Sequence, residues 1–297
     1  PRSEVAILNS CEQNYALQIQ PQAEGLAYWE QVSRYYNALR RQGINVDLVP
    51  IDVDLSNYRV LILPSWSLQA AADVATLEHY VRRGGRLILS PRSGIKNEDN
   101  VCTESPLPGA FAKMAGVEVD DYDALGPATC RVSFGDRTAC EVGVWADALL
   151  LDGAEARAHY ADGLFESEAA VTKHPFGRGE VWYIGTYGEP AFYDRILGEI
   201  LDAADIVREV QAPAGVDVSW REKNDARVLF LVNLTGSPQD VALPTGLTAL
   251  LGTVPVADKV TLGAFEVGIY SAARARTESG IGKDTAPDGV SVVSQPI

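Results

Sequence analysis

The chain has 297 residues and carries 25 Lys and Arg against 40 Asp and Glu, a formal net charge of −15. This length is sufficient for one large or two moderate domains with a sizeable core. The charge argues against a basic face for nucleic acid, and no apolar run reaches the roughly 18 residues needed to cross a bilayer. We therefore expect a soluble, cytoplasmic protein without nucleic-acid or membrane partners.

The chain opens on a short apolar strand pattern, Val5–Leu8, close to its first residue and with no Met before it. This start predicts that the sequence belongs to a longer protein. A helix is predicted over residues 24–41, ending before Gly43. Apolar residues recur there every three or four positions and predict the buried face: Leu26, Trp29, Val32, Tyr36 and Leu39.

Further strands and helices follow in alternation. Residues 44–48 alternate as in a half-buried strand, and the continuous apolar run 60–63 is typical of a central parallel strand. A helix over 71–83 ends before two glycines, and a strand over 86–90 follows. This order predicts an α/β fold with a doubly wound, mostly parallel sheet. Functional loops are expected beyond the carboxyl ends of its strands, at residues 9–20, 64–69 and 91–100.

The second half of the chain changes character. Residues 117–150 predict short strands and turns, and residues 169–185 predict a hairpin with a glycine turn. A last helix is predicted over 192–205, with Ile196, Leu197, Ile200 and Leu201 inward. Short strands over 216–270 predict a small antiparallel β-sandwich. The predicted domains are therefore 1–210 and 216–272, followed by a polar tail over 273–297 that we expect to be disordered.

Cysteine and histidine spacing predicts neither a metal site nor a cofactor. Cys11 and Cys102 are isolated, whereas Cys130 and Cys140 flank a turn signal and could face each other across a hairpin. Free and mostly buried thiols are expected. The three histidines are scattered and predict surface or half-buried positions: His79, His159 and His174.

A retaining glycosidase would need two carboxyl groups about 5 Å apart. The acidic candidates lie in or near the predicted loops: Glu12, Asp52, Asp54, Glu98 and Asp99. Glu98 follows Asn97, as the acid/base does in many barrel enzymes, but it lies after a strand of a doubly wound sheet. We expect it to be a solvated loop residue or an interface contact.

The predicted sheet is similar to class I glutamine amidotransferase-like domains, whose active members place a Cys on a tight strand-to-helix elbow. Residues 91–95 read Pro-Arg-Ser-Gly-Ile and contain no Cys. An amidotransferase-like hydrolase would therefore have to use Cys11 or Cys102 with one of the histidines. This hypothesis remains an alternative.

Several segments together resemble the region that follows the catalytic barrel in glycoside hydrolase family 42 β-galactosidases. They are Val5–Pro21, Ile44–Ser65 with Asp54-Leu-Ser-Asn-Tyr58, Gly84–Asp99 and Val181–Thr186. In that family an N-terminal barrel carries both catalytic glutamates, an amidotransferase-like second domain trimerises, and a small β-domain ends the chain. The resemblance covers 5 to about 272. It implies a noncatalytic module that pairs with itself as a homotrimer and with an upstream barrel, and that contacts galactoside only indirectly.

A closed trimer needs two different, matching patches on each subunit. Interface cores favour aromatic residues and Arg, and the predicted loops offer four interface or substrate-proximal candidates: Tyr15, Trp66, Arg92 and Tyr187. Trp66, directly after Pro64-Ser65, is harder to explain as core than Trp29 or Trp182. A third hypothesis is a carbohydrate-binding module, for which Trp220 is the only tryptophan in the predicted sandwich.

Overall fold

The computed structural model describes residues 3–223, 226–256 and 258–273, so the predicted tail over 273–297 lies, apart from residue 273, outside the described residues. The first part contains β1 (Val5–Leu8), α1 (Cys11–Ile19), α2 (Tyr28–Arg41), β2 (Val46–Val49), β3 (Val60–Leu63), α3 (Ala71–Arg82), β4 (Arg86–Leu89), α4 (Ala112–Ala115), β5 (Val117–Phe134), β6 (Ala139–Leu151), β7 (Glu155–Tyr160), β8 (Ala169–Phe176), β9 (Gly179–Ile184), β10 (Thr186–Gly188) and α5 (Pro190–Ala203). The second part contains β11 (Val216–Lys223), β12 (Ala226–Asn233), β13 (Gln239–Ala242), β14 (Thr248–Leu251), β15 (Lys259–Leu262) and β16 (Val267–Ala273).

Ten strands form one mixed sheet in the order β10-β6-β5-β7-β8-β9-β4-β3-β1-β2. The strands from β9 to β2 pair in parallel. The pairs from β10 to β9 are antiparallel. The predicted α/β fold is confirmed, but the prediction that the sheet is mostly parallel is wrong, because β5 to β8 extend it as antiparallel ribbons.

Strands β5 and β6 form a long hairpin where short strands and turns are predicted. The pairing register shifts at three places along β5, between Val119 and Asp121, between Asp123 and Gly126, and between Gly126 and Thr129. Each irregularity interrupts the strict alternation of side chains between the two faces of the sheet. The period-2 pattern that would predict one long strand is therefore absent from the sequence.

Successive residues of β1 point to opposite faces of the sheet. Val5 and Ile7 pack in one buried cluster with side chains of α2 and α5, whereas Ala6 and Leu8 pack in another with side chains of α3 and α4. Helices therefore cover both faces. This double coverage explains why β1 and β3 are continuous apolar runs without polar alternation.

Helix α2 buries the predicted Val32 and Leu39 but leaves the predicted Trp29 exposed. Trp29, predicted as core, is 47% exposed, whereas the adjacent Tyr28 is 1% exposed. The buried positions Tyr28, Val32, Tyr35 and Leu39 follow a spacing of four, three and four residues, which keeps them on one helical face. The predicted end of the helix is confirmed by Gly43, whose φ of +73° suits the left-handed position after a helix.

Helix α1 lies in the segment predicted as a loop over residues 9–20. Ser10 caps its first turn, with Oγ accepting a hydrogen bond of 3.1 Å from the Glu12 amide. The buried side of the helix carries Gln13 and Asn14 beside Ala16 and Leu17. Because polar residues occupy half of the buried face, apolar periodicity does not reveal this helix.

The C-terminal part is antiparallel, with a four-stranded sheet in the order β11-β12-β16-β14 and a two-stranded sheet of β13 and β15. Side chains of both sheets share one core, including Val218 and Leu229 from the first and Val241 and Leu262 from the second. The predicted sandwich is therefore confirmed, although β14 was not predicted.

Within the described part of the chain, no helix combines the length and the apolar content that a membrane crossing requires.

Candidate functional site

The carboxyl ends of β3 and β4 carry a group of buried serines. The Ser65 amide donates to Ser90 Oγ over 2.7 Å, and Ser93 Oγ donates to the Ser90 carbonyl over 2.7 Å. Ser65 has a φ of +44°, an uncommon left-handed conformation for a residue other than glycine. The hydrogen bonds hold the backbone in this turn at the start of the predicted functional loops.

Tyr187 connects the two loops through its hydroxyl group. The hydroxyl lies 2.6 Å from Ser65 Oγ and donates to the Pro91 carbonyl over 3.0 Å. Tyr187 is completely buried, and burial raises the pKa of its hydroxyl well above the ordinary value. The hydroxyl therefore stays protonated and acts as a structural crosslink between the ends of β3 and β4.

Arg92 lies beside Tyr187 and is 8% exposed. Its guanidinium carbon lies 4.9 Å from the ring centroid of Trp145, and the Trp145 ring stacks on Tyr122 at 4.8 Å. Among the described residues, Arg92 has no side-chain hydrogen bond or ion pair, and its Nε is buried without a partner. A buried guanidinium prefers a charged or hydrogen-bonding partner, so this side chain has unused capacity to bind an acceptor.

Asp147 is a buried carboxyl group close to Arg92. Its Oδ1 accepts a hydrogen bond of 2.7 Å from Trp145 Nε1, and its Oδ2 accepts one of 2.8 Å from the Tyr183 hydroxyl. Burial raises the pKa of Asp147 to about 6, although the two hydrogen bonds and the positive charge of Arg92 lower it. This group therefore changes its ionisation close to neutral pH.

Trp66 lies in the loop after β3 and is 1% exposed, with Nε1 buried and lacking a hydrogen-bond acceptor among the described residues. Two residues later, the Leu68 backbone forms a two-point contact with the Gln13 side chain. Gln13 Nε2 donates to the Leu68 carbonyl over 2.9 Å, and Gln13 Oε1 accepts from the Leu68 amide over 2.8 Å. Helix α1 is thus fixed to the loop that carries Trp66.

Three of the four candidate residues lie together and the fourth lies apart. Trp66 and Arg92 are buried in the loops after β3 and β4, and the buried Tyr187 on β10 reaches both loops through its hydroxyl. Tyr15 is 58% exposed on α1. The expectation that Trp66 is hard to explain as core is wrong, since its ring packs in the same cluster as Leu8 and Leu63. The interface role of all four residues stays a prediction.

The sequence does not indicate the polar groups near Arg92 or the glutamine that holds the loop of Trp66. Asp147 and Trp145 lie on β6, in a segment predicted only as short strands and turns. Gln13 lies in a helix that was not predicted. The Trp145-Ala-Asp147 spacing could have indicated two side chains on one face of a strand, but only the paired sheet brings Tyr183 to them.

The structure does not build a glycosidase acid pair around Asn97 and Glu98. Asn97 Oδ1 accepts hydrogen bonds from the backbone amides of Asp99 and Val101 at 3.0 and 2.9 Å, so Asn97 closes a local turn. Glu98 is exposed in the same turn. The prediction of a solvated loop residue is therefore confirmed for Glu98.

The cysteines are free thiols, as predicted, but Cys11 and Cys102 are exposed and not buried. Cys130 lies opposite Val142 and Cys140 opposite Val132, so the two cysteines do not face each other across the hairpin. Among the described residues no hydrogen bond joins a cysteine to a histidine; His174 Nδ1, for example, lies 2.9 Å from the Met114 carbonyl oxygen. In the same residues no group of three or more Cys, His, Asp or Glu side chains is arranged to hold a metal ion.

Trp220 offers no sugar-binding platform. It is 8% exposed, and the Arg227 guanidinium lies 4.1 Å above its ring. Stacking on a sugar would require an open ring face. The carbohydrate-binding hypothesis depended on an exposed tryptophan in the sandwich, and Trp220 is buried.

Comparison with known proteins relates the two parts of the chain to two domains of one enzyme family. Residues 3–207 match the family described as the β-galactosidase trimerisation domain. The chain belongs to this family. Residues 215–272 match a second family, described as the β-galactosidase C-terminal domain. The chain thus comprises the trimerisation and C-terminal domains of glycoside hydrolase family 42 β-galactosidases, as the sequence predicted.

Curated relatives of the trimerisation domain are much longer than this chain. β-Galactosidase BgaA of Clostridium cellulovorans is 35% identical over 233 residues, which cover 78% of this chain and 35% of that protein. β-Galactosidase LacZ of Heyndrickxia coagulans is 30% identical over 243 residues, covering 80% of this chain and 36% of that protein. The chain therefore spans little more than a third of the length of these relatives.

Solved structures give the same correspondence. The β-galactosidase from Bacillus circulans sp. alkalophilus superposes with a TM-score of 0.85 at 25% identity, over 92% of this chain and 42% of that one. The β-galactosidase from the Antarctic haloarchaeon Halorubrum lacusprofundi superposes with a TM-score of 0.83 at 27% identity, over 91% and 40%.

Proposed function

We propose that this chain is the assembly region of a β-galactosidase: domain 1–210 joins three copies into a closed homotrimer, and domain 216–272 packs beside it. The observation that carries the proposal is the match of residues 3–207 to the trimerisation domain family. In this proposal the retaining hydrolysis of a galactoside takes place in a barrel upstream of the chain. The α/β part is of the class I glutamine amidotransferase-like type, without a nucleophile, and the cytoplasmic location stays a prediction.

The surroundings of Arg92 support a role in assembly. Its guanidinium is held against Trp145 and has no acceptor among the described residues. A carboxylate from a second copy could provide that acceptor, and 40 Asp and Glu in each copy make such a partner abundant. Arg is also among the residue types whose loss weakens interfaces most. We therefore place Arg92 at or directly beneath the contact, with the exposed Tyr15 as a second contact candidate.

Light scattering after size exclusion tests the proposal on this chain and on the longer parent protein. Both are expected to have three times the mass of one copy. Arg92→Gln is expected to weaken the trimer by about 30-fold or more, as for a central anchor. Arg178→Gln, at an exposed turn between β8 and β9, is the matched control. A monomeric parent contradicts the assembly, and an Arg92→Gln trimer as stable to dilution as the unmodified protein contradicts the role of Arg92.

An activity assay tests the noncatalytic part of the proposal. The chain alone is expected to give only background turnover of a chromogenic β-galactoside, since no pair of carboxyl groups arranged for glycoside cleavage is expected in it. Turnover above background that Glu98→Gln abolishes would overturn this assignment.

A further inference from the structure

The end of helix α2 is bound to the first strand of the C-terminal domain. The Arg40 side chain donates three hydrogen bonds to the Asp217 carboxylate: from Nη2 to Oδ1 over 2.7 Å, from Nη2 to Oδ2 over 2.8 Å, and from Nε to Oδ1 over 3.0 Å. The two side chains are only 14% and 37% exposed. A planar, partly buried pair of arginine and carboxylate is stronger and more restricted in geometry than an ordinary surface ion pair.

Asn45 binds the same strand shortly after the end of the helix. Its Nδ2 donates to the Trp220 carbonyl over 3.0 Å, and its Oδ1 accepts from the Trp220 amide over 3.4 Å. Within the described sheet, β11 is an edge strand, and the outward backbone groups of such a strand have no neighbouring strand to pair with. The Asn45 amide group thus takes the place of a further strand at Trp220. We call these contacts of Arg40 and Asn45 with β11 the domain joint.

The segment between the two domains is held on both sides. Ile206 is buried in the core of the trimerisation domain, and Val210 is buried in the core of the C-terminal domain. Gly43 lies so close to this segment that an added Cβ would be 2.5 Å from the Val210 carbonyl oxygen. Arg208 Nη1 also donates to Gln42 Oε1 over 3.0 Å. Because the segment packs against the chain at the end of α2, it differs from the flexible tethers that permit free domain motion.

Helix α2 also contacts the elements around the candidate site. Near its start, the Tyr28 hydroxyl accepts a hydrogen bond of 3.1 Å from the Ser10 amide, and Arg34 Nη1 donates to the Gly188 carbonyl over 2.8 Å. Ser10 caps α1, and Gly188 lies next to Tyr187 on β10. One helix therefore contacts the C-terminal domain at its end and the elements of the candidate site along the rest of its length.

The small size of the C-terminal domain makes such contacts important for it. A domain of roughly 60 residues buries a smaller fraction of its surface than a larger one and is marginally stable alone. Polar contacts between domains usually permit independent motion, but here a bidentate ion pair, a two-point contact with backbone and a packed linker oppose it. We propose that the C-terminal domain is a fixed support for α2, and that the domain joint couples both domains into one cooperative folding unit.

Urea unfolding followed by pulsed hydrogen exchange tests this coupling, because mass spectrometry of peptides reports each domain separately. Peptides from β1 and β3 represent the trimerisation domain, and peptides from β12 and β16 represent the C-terminal domain. In the unmodified chain we expect both sets to lose protection at the same urea concentration, as in a two-state transition. All samples have one protein concentration, so the comparison holds whether or not the copies assemble.

Removing the joint should separate the two transitions. Arg40→Gln combined with Asn45→Ala removes the ion pair and both hydrogen bonds to Trp220. We expect the midpoint of the C-terminal domain to fall by about 0.5 M urea or more below that of the trimerisation domain. In native conditions, amides of β12, which lies behind β11 in the sheet, should exchange at least about fivefold faster.

The matched control is Arg131→Gln. It breaks the 2.8 Å ion pair with Asp162, which lies within the trimerisation domain and away from the joint. The two domains of this variant should still unfold at one urea concentration. Circular dichroism without urea establishes that each variant is folded before the transitions are compared.

Three results would overturn the proposal. Two separate transitions in the unmodified chain would show that the domains are independent, and this test needs no variant. Coincident transitions of the double variant at an unchanged midpoint would show that the joint does not couple the domains. A common fall of both transitions would assign the coupling to contacts other than Arg40 and Asn45. If the double variant does not fold, Asn45→Ala alone should give a smaller separation in the same direction, and the lack of any separation would count against the joint.

Discussion

Tyr183 donates a hydrogen bond of 2.8 Å to Asp147 Oδ2, so that a tyrosine hydroxyl and a carboxyl group meet inside the sheet. Trp145 Nε1 donates to the other carboxyl oxygen over 2.7 Å. Both donors favour the ionised carboxylate, yet burial outweighs them and raises the pKa of Asp147 from its ordinary value of 3.8 to about 6. A buried acid with a raised pKa makes the stability of the protein depend on pH.

The first prediction follows from the sign of this shift. Because the pKa is higher in the folded state, the protonated form of Asp147 favours folding. Its contribution is complete below about pH 4 and is lost as the pH rises through about 6. Relative to Asp147→Asn, the free energy of unfolding of the unmodified protein should therefore fall by on the order of 2–3 kcal/mol between about pH 4 and pH 8. Urea titrations at several pH values measure this difference.

Asp136 provides a control, because its pKa is shifted in the opposite direction from that of Asp147. Hydrogen bonds from Thr138, together with Arg195, lower the pKa of Asp136 to about 2. The stability it contributes is present above the ordinary pKa of an aspartate and is lost only in more acid solution. The difference between the unmodified protein and Asp136→Asn should accordingly be constant from about pH 5 to pH 8. A pH-independent difference for Asp147→Asn would contradict the first prediction.

The second prediction concerns Gly94, in the loop after β4. Its φ is +68°, and a Cβ added there would lie 2.0 Å from the Pro108 carbonyl oxygen. Gly94→Ala therefore adds both backbone strain and a clash with the backbone of a second loop. We expect it to lower the free energy of unfolding by more than about 2 kcal/mol, measured by urea denaturation.

Substitution of Gly246 measures the cost of backbone strain without a clash. Its φ is +82°, but a Cβ added there meets nothing within 4 Å. Gly246→Ala should lower the free energy of unfolding by about 1 kcal/mol, the usual cost of a left-handed alanine. Equal losses for the two variants would show that the approach of Pro108 to Gly94 is not a close contact in solution.

How much of the fold the sequence reveals depends on whether local patterns describe it. The strands Val5–Leu8 and Val60–Leu63 are predicted with the observed bounds. Both strands are buried on both faces, so every position in them is apolar and the run is easy to recognise. The inward face of α5 is predicted correctly as well. In the antiparallel half of the sheet, the predicted hairpin over residues 169–185 is confirmed by the pairing of β8 with β9. The long β5–β6 hairpin is not predicted, because bulges in β5 break the alternation of side chains and strand pairing is a long-range property.

In the candidate site, too, the sequence predicts the local elements but not the contacts between distant residues. The loops that carry Trp66 and Arg92 are predicted from strand order, since the carboxyl ends of parallel strands meet at one edge. The burial of Trp66 is not predicted, because it depends on residues from several elements that close over the ring. The hydrogen bond from Tyr183 to Asp147 joins residues 36 positions apart, and no local pattern encodes it.

The third prediction concerns thiol reactivity. Cys11 and Cys102 are exposed and should react with iodoacetamide in the native protein at the rate of ordinary thiols. Burial raises the pKa of Cys130 to about 11, so that thiol should react far more slowly. Mass spectrometry over a time course should show two early modifications, and denaturation in urea should make all four thiols reactive.

Two results would contradict this expectation. Early modification of Cys130 would show that the β5–β6 hairpin opens in the native state. Rapid stoichiometric alkylation of Cys11 or Cys102, together with amidase activity lost on substitution by Ala, would favour the cysteine hydrolase hypothesis instead.

The fourth prediction separates the packing role of Trp66 from a role in subunit contact. Its ring is buried with Leu8, Leu63 and Phe111, so Trp66→Ala should leave a cavity and lower the free energy of unfolding by about 3–5 kcal/mol. Trp66→Phe keeps most of the ring volume and removes a buried N–H that lacks an acceptor, so it should lower that free energy by only about 1–2 kcal/mol. Urea denaturation of the three proteins measures both losses.

Association measured on the same proteins completes the argument. If Trp66 acts through packing alone, the Trp66→Phe trimer should be as stable to dilution as the unmodified trimer. The Trp66→Ala trimer should then dissociate only under conditions where its subunits begin to unfold, because the ring is 1% exposed and offers almost no surface to a second copy. Light scattering and circular dichroism recorded over one dilution series distinguish the two events. Dissociation of Trp66→Ala into fully folded subunits, with a free energy of unfolding within about 1 kcal/mol of the unmodified protein, would instead place Trp66 at the contact.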